Sequence, residues 1–157
     1  MKQDRFLVGI LIGIGLLIIT ALLVFFSRQD GQTYVSESAP EGVVHNYVLA
    51  VLNKDYQKAY SYLADLEKKP SYDAFRRSFV TGSLNPTSAG VKIGSPEVTG
   101  DDATVEVSMV YTSSDPFSTE YNNAGIAQLV RQNGAWKISS MPAYNLWDSS
   151  WYQAVAN

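Results

Sequence analysis

Cysteine is missing from all 157 residues. That excludes disulfides, thiolate catalysis, thiolate metal ligation and any lipid carried on sulfur. Histidine occurs once, as His45, and a lone imidazole with no cysteine and no clustered acids makes a poor metal site. Charged residues are sparse, 17% of the chain with a formal net of −3. No basic stripe appears, so nucleic acid is not an expected partner. No internal repeat is visible. Neither a metal nor a cofactor is expected, and no residue is assigned a catalytic role.

What the chain has in abundance is apolar sequence at its start. From Phe6 to Phe26 it reads FLVGILIGIGLLIITALLVFF, free of charge. Such a run forms roughly 32 Å of helix at 1.5 Å per residue, the thickness of a bilayer's hydrocarbon core. No small-residue cleavage site follows it, so it reads as an uncleaved anchor rather than a signal peptide. The expected division is a transmembrane anchor over 1–27, a polar tether over 28–38 and a folded domain over 39–157. Lys2 and Arg5 precede the run and Arg28 follows it, which puts the amino terminus on the cytoplasmic side and the domain outside. The expected location is thus the cell membrane, single-pass, with the lipid bilayer as a partner. Gly9 and Gly13 form a small-xxx-small pair with Thr20 near the same face. Such a face suits association with other membrane-protein subunits or with a second copy.

After the tether, Ser38-Ala39-Pro40-Glu41 reads as a helix start. Val43, Val44, Tyr47, Val48, Val51 and Leu52 fall on one stripe of that helix. Asp55 is placed to cap a second helix with Tyr56, Ala59, Tyr60 and Leu63 on its apolar face. Ser71 caps a third, bringing Tyr72, Phe75 and Phe79 together. Beyond Gly82 the period shortens to 2. GVKIGSPEVTG reads as a short strand interrupted by Gly94 and Pro96. Ala103, Val105, Val107, Met109 and Tyr111 share one face of the next, opposite Thr104, Glu106 and Ser108. Asn133-Gly134 marks a tight hairpin, with Trp136 and Ile138 inward and Lys137 outward. The fold class expected is α+β: one N-terminal transmembrane helix, then three helices packed on a curved antiparallel sheet of about four strands.

VVHNYVLAVLNKDYQKAYSYL, SYDAFRRSF and the closing RQNGAWKIS together resemble the nuclear-transport-factor-two-like superfamily, in which a curved sheet wraps round helices to form a cone. The run Asn53-x-Asp55-Tyr56-x-x-Ala59-Tyr60 and the strand Gly134-x-Trp136-x-Ile138 carry the likeness, over residues 40–141. Within the superfamily the chain looks most like membrane-anchored extracytoplasmic bacterial members. The resemblance also implies a comparison with enzymes such as ketosteroid isomerase and scytalone dehydratase. Those need a carboxylate or imidazole in an apolar pocket. The inward positions here are apolar, and Glu106 and Lys137 face the other way.

The expected function is accordingly non-catalytic: binding or scaffolding a partner, as an accessory subunit of a larger membrane complex. Tyr144, Trp147, Trp151 and Tyr152 crowd the tail and suit a partner or membrane-interface contact, or else fold back over the sheet. The alternative is a small apolar ligand or lipid held in the cone between Met109, Tyr111 and Trp136. An isomerase- or dehydratase-like enzyme is the third reading.

Overall fold

The computed structural model describes residues 5–28, 33–86, 90–111, 121–142 and 144–153. The chain divides into two compact units, Met1–Thr33 and Tyr34–Asn157, and the secondary structure runs as four helices followed by four strands among the described residues.

The first unit holds α1 (Arg5–Arg28). Of its side chains, those from Val8 to Val24 are described. They are apolar apart from Thr20, and exposed apart from a partly buried Gly15. Among the described residues no helix is long and apolar enough to cross a membrane. This corrects the expected transmembrane anchor, and with it the single-pass topology, the cell-membrane location and the membrane part of the fold class. Thr20 donates its hydroxyl back to the Leu16 carbonyl at 2.8 Å. A Cβ added at Gly9 or Gly13 would meet nothing within 4 Å.

The second unit starts earlier than the tether expectation allowed. Val35 is held to Asn46 by a reciprocal pair of 2.8 Å bonds, its N–H donating to Oδ1 and its carbonyl accepting from Nδ2. Asn46 is fully buried, so its amide stands in for a strand partner. Close beneath, a Cβ on Gly42 would lie only 2.0 Å from the Ser36 carbonyl oxygen. Glycine is needed for that approach.

α2 (Pro40–Leu52) begins with Pro in its first turn and extended Ala39 as its cap, a place where the missing N–H costs nothing. Val43, Val44, Tyr47, Val48 and Val51 are buried as the stripe requires, and Leu49 and Ala50 are buried too. α3 (Tyr56–Ser61) is capped by Asp55, which accepts from Lys58 N–H at 3.1 Å. It stops before Leu63, which was expected on its face. Leu63 instead bridges Ile138 in parallel, with Ala64 N–H donating to Ile138 O and Ile138 N–H to Tyr62 O, both at 2.8 Å. α4 (Tyr72–Val80) is capped by Ser71, which accepts from Ala74 N–H. It buries Phe75 and Phe79 and leaves Tyr72 exposed.

β1 (Gly90–Thr99), β2 (Asp102–Tyr111), β3 (Tyr121–Gln132) and β4 (Ala135–Ser140) pair antiparallel in the order β1-β2-β3-β4. The expected short, broken first strand is one continuous strand with a bulge between Ile93 and Pro96, which accommodates a residue without an N–H. Asn133 and Gly134 both have positive φ, 52° and 80°, the signature of the turn that matches strand twist. Ala103, Val105, Val107 and Met109 of β2 face Ala127 and Leu129 of β3 and Trp136 and Ile138 of β4 on one side. All of them are buried in a single core with α2 and the phenylalanines of α4. Three helices against a four-stranded antiparallel meander make this unit α+β.

Candidate functional site

The aromatic tail belongs to the core. Trp147 is 3% exposed and Trp151 8%. Trp151 packs on Phe75 at 5.0 Å, on Trp147 at 5.0 Å and on Phe79 at 6.2 Å between ring centroids. Tyr152, partly buried, stacks on Trp147 and donates its hydroxyl to the Ala64 carbonyl at 2.6 Å. Tyr144 packs against the same core, and its hydroxyl lies 2.9 Å from where a Cβ on Gly125 would stand. Of the four aromatics expected at a contact surface, Trp147 and Trp151 take the other course and fold into the core, while Tyr144 and Tyr152 stay partly exposed. Burying indole rings against phenylalanines is worth more than leaving them in water.

The expected pocket residues are likewise inside. Met109 is 1% exposed and Trp136 4%, both in the core cluster; the side chain of Tyr111 lies outside the described residues. Burial holds the phenols of the core in their neutral form. It pushes the Tyr47 hydroxyl well above its usual value, with the nearby Tyr152 adding to the effect. The hydroxyl donates to the Leu146 carbonyl at 2.5 Å. Desolvation raises Tyr62 as well, helped by the Glu37 carboxylate that accepts its hydrogen bond at 2.7 Å, and Tyr152 is raised chiefly by burial.

Polar chemistry sits on the outside of the sheet, in two grooves. The first, about 300 Å³, crosses β1, β2 and β3 and is lined by Ser95, Glu97, Thr104, Glu106, Ala124, Gly125 and Ile126. Pairing explains the lining: Glu97 lies opposite Thr104 and Glu106 opposite Ile126, all on the face turned away from the core. Ile126 is 60% exposed, and Glu97 and Glu106 are exposed beside it. Gly94 lets β1 approach here, since a Cβ would come within 3.1 Å of Glu106 Cβ.

The second groove, about 380 Å³, follows the outer edge of β4 and is lined by Ser61, Leu63, Asp65, Lys69, Gln132, Asn133, Ala135 and Lys137. Three contacts knit its lining together. The Gln132 amide accepts from Asp65 N–H at 2.7 Å and donates to Asp65 O at 3.3 Å, extending the ladder by one side chain. Lys137 Nζ donates to the Ser61 carbonyl at 2.7 Å and Lys69 Nζ to the Leu63 carbonyl at 3.3 Å. The Lys69 ammonium also lies 4.5 Å from the centre of the Tyr60 ring and 3.6 Å from the Asp65 carboxylate.

Other candidates from the sequence fall apart. His45 is partly buried with Nδ1 3.4 Å from Asn46 Oδ1. Asp101 and Asp102 form an exposed turn, where the Asp101 carbonyl accepts from Arg131 N–H at 2.7 Å. Arg76 and Arg77 are exposed on α4. Among the described residues no group of three or more His, Asp or Glu could hold a metal ion. Lys69 is a groove residue that sequence reasoning does not find, since nothing in a single chain signals that it lines one groove with Lys137.

No family model matches this sequence, and no curated protein matches it. Among solved structures the chain is similar to a SEC-C motif containing protein from Rhodopseudomonas palustris, at 16% identity and a TM-score of 0.49, over 68% of this chain and 79% of that one.

Proposed function

We propose that the folded unit Tyr34–Asn157 is a non-catalytic binding module whose outer sheet face receives a segment of a partner protein. The reading rests on the exposed Ile126, paired across β2 and β3 with Glu106 and sharing a groove of about 300 Å³ with Glu97 of β1. An apolar side chain held open on a sheet face, rimmed by charge, is the anatomy of a contact surface. Among the described residues neither carboxylate makes an ion pair with a lysine or arginine. Charge complementarity then favours a partner segment with one apolar side chain flanked by basic ones. The nuclear-transport-factor-two-like resemblance agrees with this architecture and is proposed with it, as an analogy of fold.

A photo-crosslinking residue in place of Ile126, in the full chain, is expected to capture one discrete partner. The same residue in place of the exposed Gln57, on α3, is expected to capture none. Adding Glu106→Lys should abolish capture from position 126. Equal labelling from both positions, or capture indifferent to Glu106→Lys, would rule the reading out.

A further inference from the structure

We propose that the groove along the outer edge of β4 is an oxyanion-binding site, in which the ammoniums of Lys69 and Lys137 grip the oxygens of one carboxylate or phosphate group carried by a small molecule. The site is separate from the sheet-face groove and does not depend on it.

The argument starts from how the two cations are held. An ammonium has three donors, and each lysine here spends one on a carbonyl of the same short segment, Ser61 for Lys137 and Leu63 for Lys69. Ser61 and Leu63 are two residues apart, so the anchoring points lie within about 7 Å of each other along the chain. The Lys69 side chain is only 17% exposed and its ammonium lies over the Tyr60 ring. Much of the rotamer entropy that a surface lysine would lose on gripping a ligand has therefore been lost on folding.

Charge and hydrogen-bonding capacity point the same way. Among the groove's lining residues, Lys69 and Lys137 face a single carboxylate, Asp65, whose side chain is 89% exposed. One positive charge is left without a partner, and water screens the pair that exists. Besides that carboxylate, the Gln132 amide oxygen would compete for the lysines, and it is already occupied by Asp65 N–H. The groove thus keeps spare donors and few spare acceptors. Asn133 adds an amide that either role suits, the Ser61 hydroxyl already donates to the Lys58 carbonyl at 2.6 Å, and Leu63 and Ala135 give the remainder an apolar floor. A ligand rich in acceptors with a compact negative head fits that inventory; a cation or a donor-rich sugar does not. Charge-assisted bonds from two ammoniums to one head are also the strong kind.

The test is an amide-resolved NMR titration of the full chain at constant ionic strength, with inorganic phosphate in one arm and succinate in the other. Saturable shifts of the Asp65, Gln132, Asn133 and Lys137 amides are expected, with a dissociation constant on the order of 1 mM and with the Glu97 and Glu106 amides unmoved. A response to phosphate alone assigns a phosphate head, to succinate alone a carboxylate head, and to both the shared chemistry. Lys137→Gln should weaken binding by about tenfold, whereas Lys137→Arg should keep it. Lys69→Gln provides the same reading should Lys137→Gln disturb the hairpin. Groove amides that stay still in both arms at ten times the expected constant would overturn the site, and so would binding indifferent to both glutamine variants.

Discussion

At the scale of single residues, the most consequential side chain outside the aromatic core is Asn46. Its amide is the whole of the fixation seen for the Val35 backbone, one donor and one acceptor matched at 2.8 Å. Removing it leaves two backbone groups of a partly buried contact unpaired, each costing about 1–3 kcal/mol. Asn46→Ala is expected to lower stability by about 2–4 kcal/mol in urea unfolding and to free Thr33–Ser38 for proteolysis. Stability unchanged within about 0.5 kcal/mol would show that the segment is held by something else. The sequence does not announce this role. Asn46 follows His45 in a largely apolar helix, and a polar residue there reads as solvent-facing until its partner, eleven residues upstream, is seen.

At the scale of elements, the parts that local rules govern were legible. Caps at Asp55 and Ser71, the Asn133-Gly134 turn and the alternation of β2 depend on neighbours a few residues away, and they stand where the pattern puts them. What was not legible depends on distant neighbours: the end of α3 before Leu63, the bulge that keeps β1 whole, and the burial of the tail. Aromatics crowded near a terminus satisfy an interface and a core equally well on composition. The decision lies with Phe75 and Phe79, some seventy residues away, whose rings offer Trp151 a socket. The grooves illustrate the same limit, since Lys69 and Lys137 meet only because Leu63 pairs with Ile138. Trp151→Ala should cost about 3–5 kcal/mol, a large share of a typical domain's 5–15 kcal/mol. Thermal unfolding would check it, and a shift no larger than that of an exposed-residue control such as Gln57→Ala would contradict the packing described.

For the folded unit as a whole, the buried phenols set a limit on the alkaline side. Tyr47, Tyr62 and Tyr152 all have folded-state values raised above the 10.0 of a free phenol. The unfolded chain gives up those protons near pH 10 while the folded one keeps them, so the unfolded state binds fewer protons in that range. Their contribution to stability is complete below pH 10 and declines as pH climbs beyond it. Urea midpoints measured at pH 8 and pH 11 should therefore fall with alkalinity. Tyr47→Phe should be less stable than the parent at pH 8, by about 1 kcal/mol for the lost bond to Leu146, yet show a shallower decline. A parallel decline in both proteins would remove Tyr47 from the explanation.

The tail's burial has a consequence for how this protein is made. Leu146, Trp147 and Trp151 are synthesised after all the described helices and strands, yet they cover Phe75, Phe79 and the hydroxyl of Tyr47. A nascent chain that has already emitted its helices and its sheet still shows those rings to solvent until residues 146–151 have followed. Closure of the core waits for them, and a chain cut short at Met141 would leave the ribosome sticky rather than merely shorter.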